Sequence, residues 1–130
     1  MRRLGVITLQ NRFLALWARS GADGLLTIDG AFVTELWGQP PIQRSLALVI
    51  QVTDDNPGEP HAFIVEATFD ADGEQVYRDE GSFTIPTAKQ TSVVIYVALN
   101  LRREGDYSIT LRVDGGILAT LSLPVVFKSV

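Results

Sequence analysis

Hydrophobic and polar residues alternate along most of the chain from Arg44 onward. Side chains on an extended strand point to opposite faces in turn, so a period of two marks strands with one face on a core and one in water. The clearest case runs from Asp106 to Asp114. Tyr107, Ile109, Leu111 and Val113 share one face; Ser108, Thr110 and Arg112 share the other. Leu46, Leu48, Ile50 and Val52 form a second inward row, and Phe63, Val65, Ala67 and Phe69 a third. Val93, Ile95, Val97 and Leu99 form a fourth. Its reverse face carries Val94 and Tyr96, which predicts a strand that is central or covered on both sides. The last row is Ile117, Ala119, Leu121, Leu123, Val125 and Phe127. Pro124 interrupts it and has no N–H to donate, so this strand is expected at an edge or bent there.

Turn residues fall where these strands should stop. Asp54-Asp55-Asn56-Pro57-Gly58 reads as a loop, and Asp70-Ala71-Asp72-Gly73 and Asp114-Gly115-Gly116 as tight hairpins, because Asp and Gly tolerate positive φ. Pro86-Thr87-Ala88-Lys89 links two further strands. Upstream, Leu25 to Trp37 is one long β-like run with a bulge or bend at Gly30. Phe13 to Arg19 is expected to pair with it across Ser20-Gly21-Ala22-Asp23-Gly24. Leu4 to Leu9 fits a strand or a helical turn, and residues 1–12 an N-terminal extension. No segment sustains a helical period. Seven or eight strands at intervals of roughly 8–12 residues predict an all-β fold, an antiparallel β-sandwich of immunoglobulin-like type, with residues 1–130 as one domain.

Two stretches carry a resemblance. Leu99 to Gly115, L-N-L-R-R-E-G-D-Y-S-I-T-L-R-V-D-G, looks like the Gly-x-Tyr entry to a late strand in bacterial immunoglobulin-like sandwiches. Gly24 to Phe32 supplies a G-x-L-x-I-x-G-x-F strand near the start. Together they resemble a family of small uncharacterised bacterial immunoglobulin-like β-sandwich proteins, over about residues 13–127. The resemblance implies a fold but transfers no activity and no functional residues. It also implies a structural role for Tyr107 as a tyrosine corner, its hydroxyl bonding nearby main chain.

Composition narrows function by exclusion. The chain is 46% hydrophobic and 20% charged, which suits a packed core rather than disorder. Its net charge is −4 and its basic residues are scattered, so no basic stripe marks a nucleic-acid binder. Arg102-Arg103-Glu104 reads as a solvated turn. There are no cysteines, which removes disulfides, thiolate metal sites and a thiol nucleophile and favours a reducing compartment. Arg2-Arg3 followed by Leu4 to Leu9 could open a signal peptide, but Gln10-Asn11-Arg12 cuts the apolar run short. No stretch reaches the length of a membrane helix. The expectation is a cytoplasmic protein that contacts neither nucleic acid nor membrane.

Candidate chemistry is sparse. His61 is the one histidine, and no Gly-x-Ser-x-Gly elbow accompanies it, so it reads as a loop or strand-start residue. Asp54, Asp55 and Glu59 in one loop, and Asp70, Asp72 and Glu74 in another, offer oxygen ligands. They lack the remainder of a calcium loop, so turn formation is the simpler role. No catalytic residue, metal site or cofactor is expected. The aromatics Trp17, Trp37, Tyr77, Tyr96 and Tyr107 suit core packing, or a platform on which sugars stack. Trp37 stands apart, because Gly38-Gln39-Pro40-Pro41 follows it as a semi-rigid loop. Trp37, Gln39, Pro40 and Pro41 are therefore the candidate partner-binding residues. The expectation is a structural or protein-interaction domain, self-associating or part of a larger assembly. The alternative is a carbohydrate-binding-like module.

Overall fold

A computed structural model describes residues 3–21 and 25–128. Among the described residues nine strands form two sheets packed face to face: β1 (Ile7–Ser20), β2 (Leu26–Ala31), β3 (Leu36–Gly38), β4 (Ile42–Asp54), β5 (Pro60–Phe69), β6 (Glu74–Thr84), β7 (Thr91–Leu101), β8 (Gly105–Val113) and β9 (Gly116–Phe127). One sheet has the order β2-β1-β4-β7 and the other β3-β9-β8-β5-β6. All neighbours are antiparallel except β3 and β9, which run parallel. The sandwich is thus as the alternation predicts, with one strand more than the seven or eight expected.

The inward rows read from the sequence meet between the sheets, except at Ile117, which is 61% exposed because the register shifts at the start of β9 and Leu118 packs on the core instead. Leu46, Leu48, Ile50 and Val52 of β4, and Val97 and Leu99 of β7, pack against Val65 and Ala67 of β5 and Tyr107, Ile109 and Leu111 of β8. Each large aliphatic side chain buried this way contributes about 1.5–3 kcal/mol relative to exposure. The turns follow the expected chemistry: Gly73 has φ +74°, and the Asp114-Gly115 turn has φ +52° and +87°. Positive φ at both central residues matches the twist of the flanking strands.

Three readings change. Residues 7–12 are not an extension; they form the first part of β1 and pair with Gln51–Asp54 and Ile50 of β4. The run from Leu25 to Trp37 is two strands in different sheets, because Gly30 (φ +63°) and Phe32 (φ +59°) turn the chain out of β2 and across the sandwich. The turn at Ala22-Asp23-Gly24 lies outside the described residues. The strand β7 is at the edge of its sheet, not central. Its reverse face is nevertheless partly covered. Ala47 and Val49 of β4 point away from the main core yet are fully buried, in a second cluster with Phe13, Ala15 and Ala18, against which Leu26 and Val94 pack. The far part of β1 and β2 therefore folds against the outer face of β4 and β7. The Tyr96 hydroxyl fixes it there, donating to the Ala18 carbonyl at 2.6 Å and accepting from its N–H at 3.2 Å.

Pro124 sits where β9 changes surroundings. Up to Pro124 the strand is paired on one side alone, by β8; beyond it, Val125–Phe127 are also covered by β3.

Candidate functional site

The inward parity of β4 and β5 extends one step past their aliphatic rows, to Asp54 and His61. Both are buried at one end of the sandwich, with Asp114 of the β8–β9 turn beside them. His61 Nε2 lies 2.7 Å from Asp54 Oδ2 and Nδ1 lies 2.6 Å from Asp114 Oδ2. The carboxylates do further work: Asp54 Oδ1 accepts from the Asn56 N–H and Asp114 Oδ1 from the Ala62 N–H. Burial alone would push the imidazole pKa down. The hydrogen bonds and charges of Asp114 and Asp54 outweigh it and raise the pKa above the ordinary 6.5. His61 stands at the start of β5, one of its two sequence readings, with two partners that the sequence did not reveal, and Asp54 is a strand residue rather than part of an acidic loop. A general base needs a free nitrogen within reach of substrate. Here both nitrogens are taken and the ring is inaccessible. The arrangement is a hydrogen-bonded clamp, ionic when His61 is protonated, tying the end of β4 to the start of β5 and to the β8–β9 turn.

The other acidic residues are also engaged. Asp72 and Glu74 pair with Arg103, and Asp55 pairs with Arg3 and accepts the Val6 N–H at 2.7 Å. Arg103 is no merely solvated turn residue: its guanidinium lies over the Phe69 ring, 4.0 Å from the centroid. Its carbonyl accepts the hydroxyl of the buried Tyr107 at 2.7 Å, the contact a tyrosine corner makes. Among the described residues no group of three or more His, Asp or Glu side chains is placed to hold a metal ion.

A different surface is built where the chain crosses between sheets. Phe32 opens the four-residue crossover from β2 to β3, with the Val33 N–H anchored to the Leu14 carbonyl at 2.8 Å. A left-handed conformation costs a non-glycine residue on the order of 1–2 kcal/mol, and such outliers concentrate at functional positions. The Phe32 ring leans on Phe13, centroids 4.9 Å apart, and remains 65% exposed. Trp37 is 61% exposed, in the short strand β3, which also takes in Gly38 of the expected loop. Leu16 and Arg44 complete a cleft of about 520 Å³ with them. Gln39, Pro40 and Pro41 continue the exposed surface past Trp37. Of the remaining aromatics, Trp17 is partly exposed on β1 with Arg19 near its ring, and Tyr77 is half-buried on β6. Phe32, read only as the end of a strand motif, and Arg44 were not among the candidate residues, although Gly30 marks the bend that turns Phe32 outward.

A family of unknown function, DUF6941, has a model that matches residues 13–126. The chain belongs to the DUF6941 family. No curated protein matches this DUF6941 chain by sequence. Solved structures resemble it in fold. An immunoglobulin-like protein from Pseudomonas aeruginosa is 13% identical, over 93% of this chain and 97% of the other, with a TM-score of 0.53. The CARDB domain of a Pyrococcus furiosus protein, solved with di-metal ions, is 9% identical over 98% and 99%, with a TM-score of 0.52. The Pseudomonas fluorescens alkylpurine DNA glycosylase AlkC, bound to DNA, is 8% identical with a TM-score of 0.57. This DUF6941 chain, 92% of it aligned, spans only 30% of that protein. At such identities the likeness shows an immunoglobulin-like sandwich and nothing of activity.

Proposed function

We propose that this DUF6941 chain is a non-enzymatic protein-interaction domain that docks onto a partner through the surface of Leu16, Phe32 and Trp37. One observation carries the reading: Phe32, a large aromatic residue held at positive φ, stands mostly in water between two clefts. The positive φ at Phe32 serves the crossover, but the crossover does not need a ring of this size left mostly in water. Exposed apolar surface of this kind, with Trp and Arg beside it, has the composition of interaction hot spots. The clamped state of the one histidine supports a non-enzymatic role. A sugar-binding reading is less well supported. The Lys128 ammonium lies over the Trp37 ring, 3.3 Å from its centroid, and occupies a face on which a sugar would stack.

Association through the β9 edge is the weaker route. The strand β3 covers Val125–Phe127, and β1 approaches β9 beside Thr120–Pro124. The test is affinity purification of tagged wild type, Phe32→Ala/Trp37→Ala and Glu80→Ala from the cells that make the protein. A defined partner that remains with wild type and Glu80→Ala but is lost from the double variant is the expected result. Equal recovery with all three contradicts the reading.

A further inference from the structure

The clefts beside Phe32 carry a charge that identifies the kind of partner. One, of about 410 Å³, lies between Arg12–Leu14 of β1 and Thr120–Pro124 of β9. The other, of about 520 Å³, lies between Leu16, Trp37 and Arg44. Phe32, Val33 and Thr34 line both, so the crossover is a ridge between two hollows.

Each hollow contains one arginine, Arg12 or Arg44, and both are exposed. Among the described residues neither has a carboxylate within ion-pair distance, as is also true of Arg19 and Arg102, whereas Arg3, Arg78, Arg103 and Arg112 all do. Lys128 adds a third cation at Trp37. Glu35 is the one carboxylate residue lining either hollow. This local positive excess runs against a net charge of −4. We infer that the surface docks an acidic segment of a partner protein, whose apolar side chains enter the hollows on either side of Phe32 while its carboxylates meet Arg12 and Arg44.

The inference rests on the interaction-domain reading and adds the chemistry of the partner. In a second copy Asp55, Glu66, Asp72, Glu74 and Glu80 are already paired within the chain, so self-association could draw only on the remaining carboxylates. Rim charges of this type set recognition and on-rate, and salt weakens them.

The test is selection from a random peptide library on the immobilised wild-type chain, with counter-selection on Phe32→Ala/Trp37→Ala. The best peptide and its counterpart with every Glu and Asp changed to Gln and Asn are then measured by fluorescence anisotropy. The expected peptides are acidic with interspersed apolar residues, bind more weakly as salt rises, and lose affinity in the amide counterpart. Arg12→Ala/Arg44→Ala weakens them by roughly tenfold while keeping the thermal midpoint, since both side chains are exposed. Neutral or basic peptides that still need Phe32 and Trp37 overturn the acidic partner but leave the interaction domain. No enrichment that depends on Phe32 and Trp37 overturns both. Self-association in light scattering, abolished by Phe32→Ala, assigns the surface to a second copy and also overturns the acidic partner.

Discussion

Replacing His61 with Gln probes the clamp at the end of the sandwich. In the wild type, below the raised pKa of His61, the imidazolium donates from both nitrogens to two carboxylates, one of them fully buried. Glutamine can serve one at most and brings no charge. Removing one member of a buried ionic cluster leaves an uncompensated carboxylate and costs about 3–5 kcal/mol. Against a total of about 5–15 kcal/mol, the variant still folds but at visibly lower urea. The pH dependence is the sharper signature. The folded-state pKa of His61 is raised above 6.5, so the folded chain holds its proton more tightly than the unfolded chain. That stabilisation is fully present below about pH 6.5 and is lost as pH rises through the folded value. Between the two values wild-type stability falls by up to about 1.4 kcal/mol per pH unit. With one histidine and no cysteine, few other groups titrate there. Urea unfolding from pH 5 to 9 should show this decline in the wild type and its loss in His61→Gln. A wild type equally stable at pH 6 and pH 9, or a variant with the same slope, refutes the charged clamp.

Three further outcomes follow from the geometry. Tyr107→Phe should lose about 1 kcal/mol, one net hydrogen bond, in urea unfolding, because the ring stays packed while the Arg103 carbonyl loses its donor; an unchanged midpoint denies that bond a role. A Cβ at Gly5 would overlap Asp54 Oδ1. Gly5→Ala should therefore lower the thermal midpoint and flatten the same pH slope, and a variant identical to wild type would show that Asp54 is free to move. Millimolar calcium should leave the thermal midpoint where a chelator leaves it, since Asp55, Asp72 and Glu74 already hold arginine partners; a rise of many degrees would reveal preferential binding to the folded chain.

The sandwich was legible because burial on one face writes itself into alternate residues: the β4, β5, β7 and β8 rows needed no knowledge of partners. The division of Leu25–Trp37 was not, because a strand that leaves one sheet and enters another keeps its apolar character throughout. Only Gly30 betrayed the turn. The clamp was hidden by sequence separation, with His61 joined to Asp114 across 53 positions. A signal was present all the same. Asp54 falls two residues after Val52, and His61 two before Phe63, so both occupy core-facing positions where an unpaired charge could not stay. Trp37 could be picked out by its neighbours, but the Arg12 and Arg44 hollows depend on how β1, β4 and the crossover meet. No local pattern encodes that meeting.

The most direct test of the interaction surface is position-specific photo-cross-linking in living cells. A photoreactive amino acid is placed singly at position 32, 37 or 80, the last on the opposite edge of the sandwich at β6. The account predicts a discrete cross-linked protein from positions 32 and 37 and none from position 80. Cross-links from position 80 alone, or none from any position while the chain is folded and expressed, would contradict it.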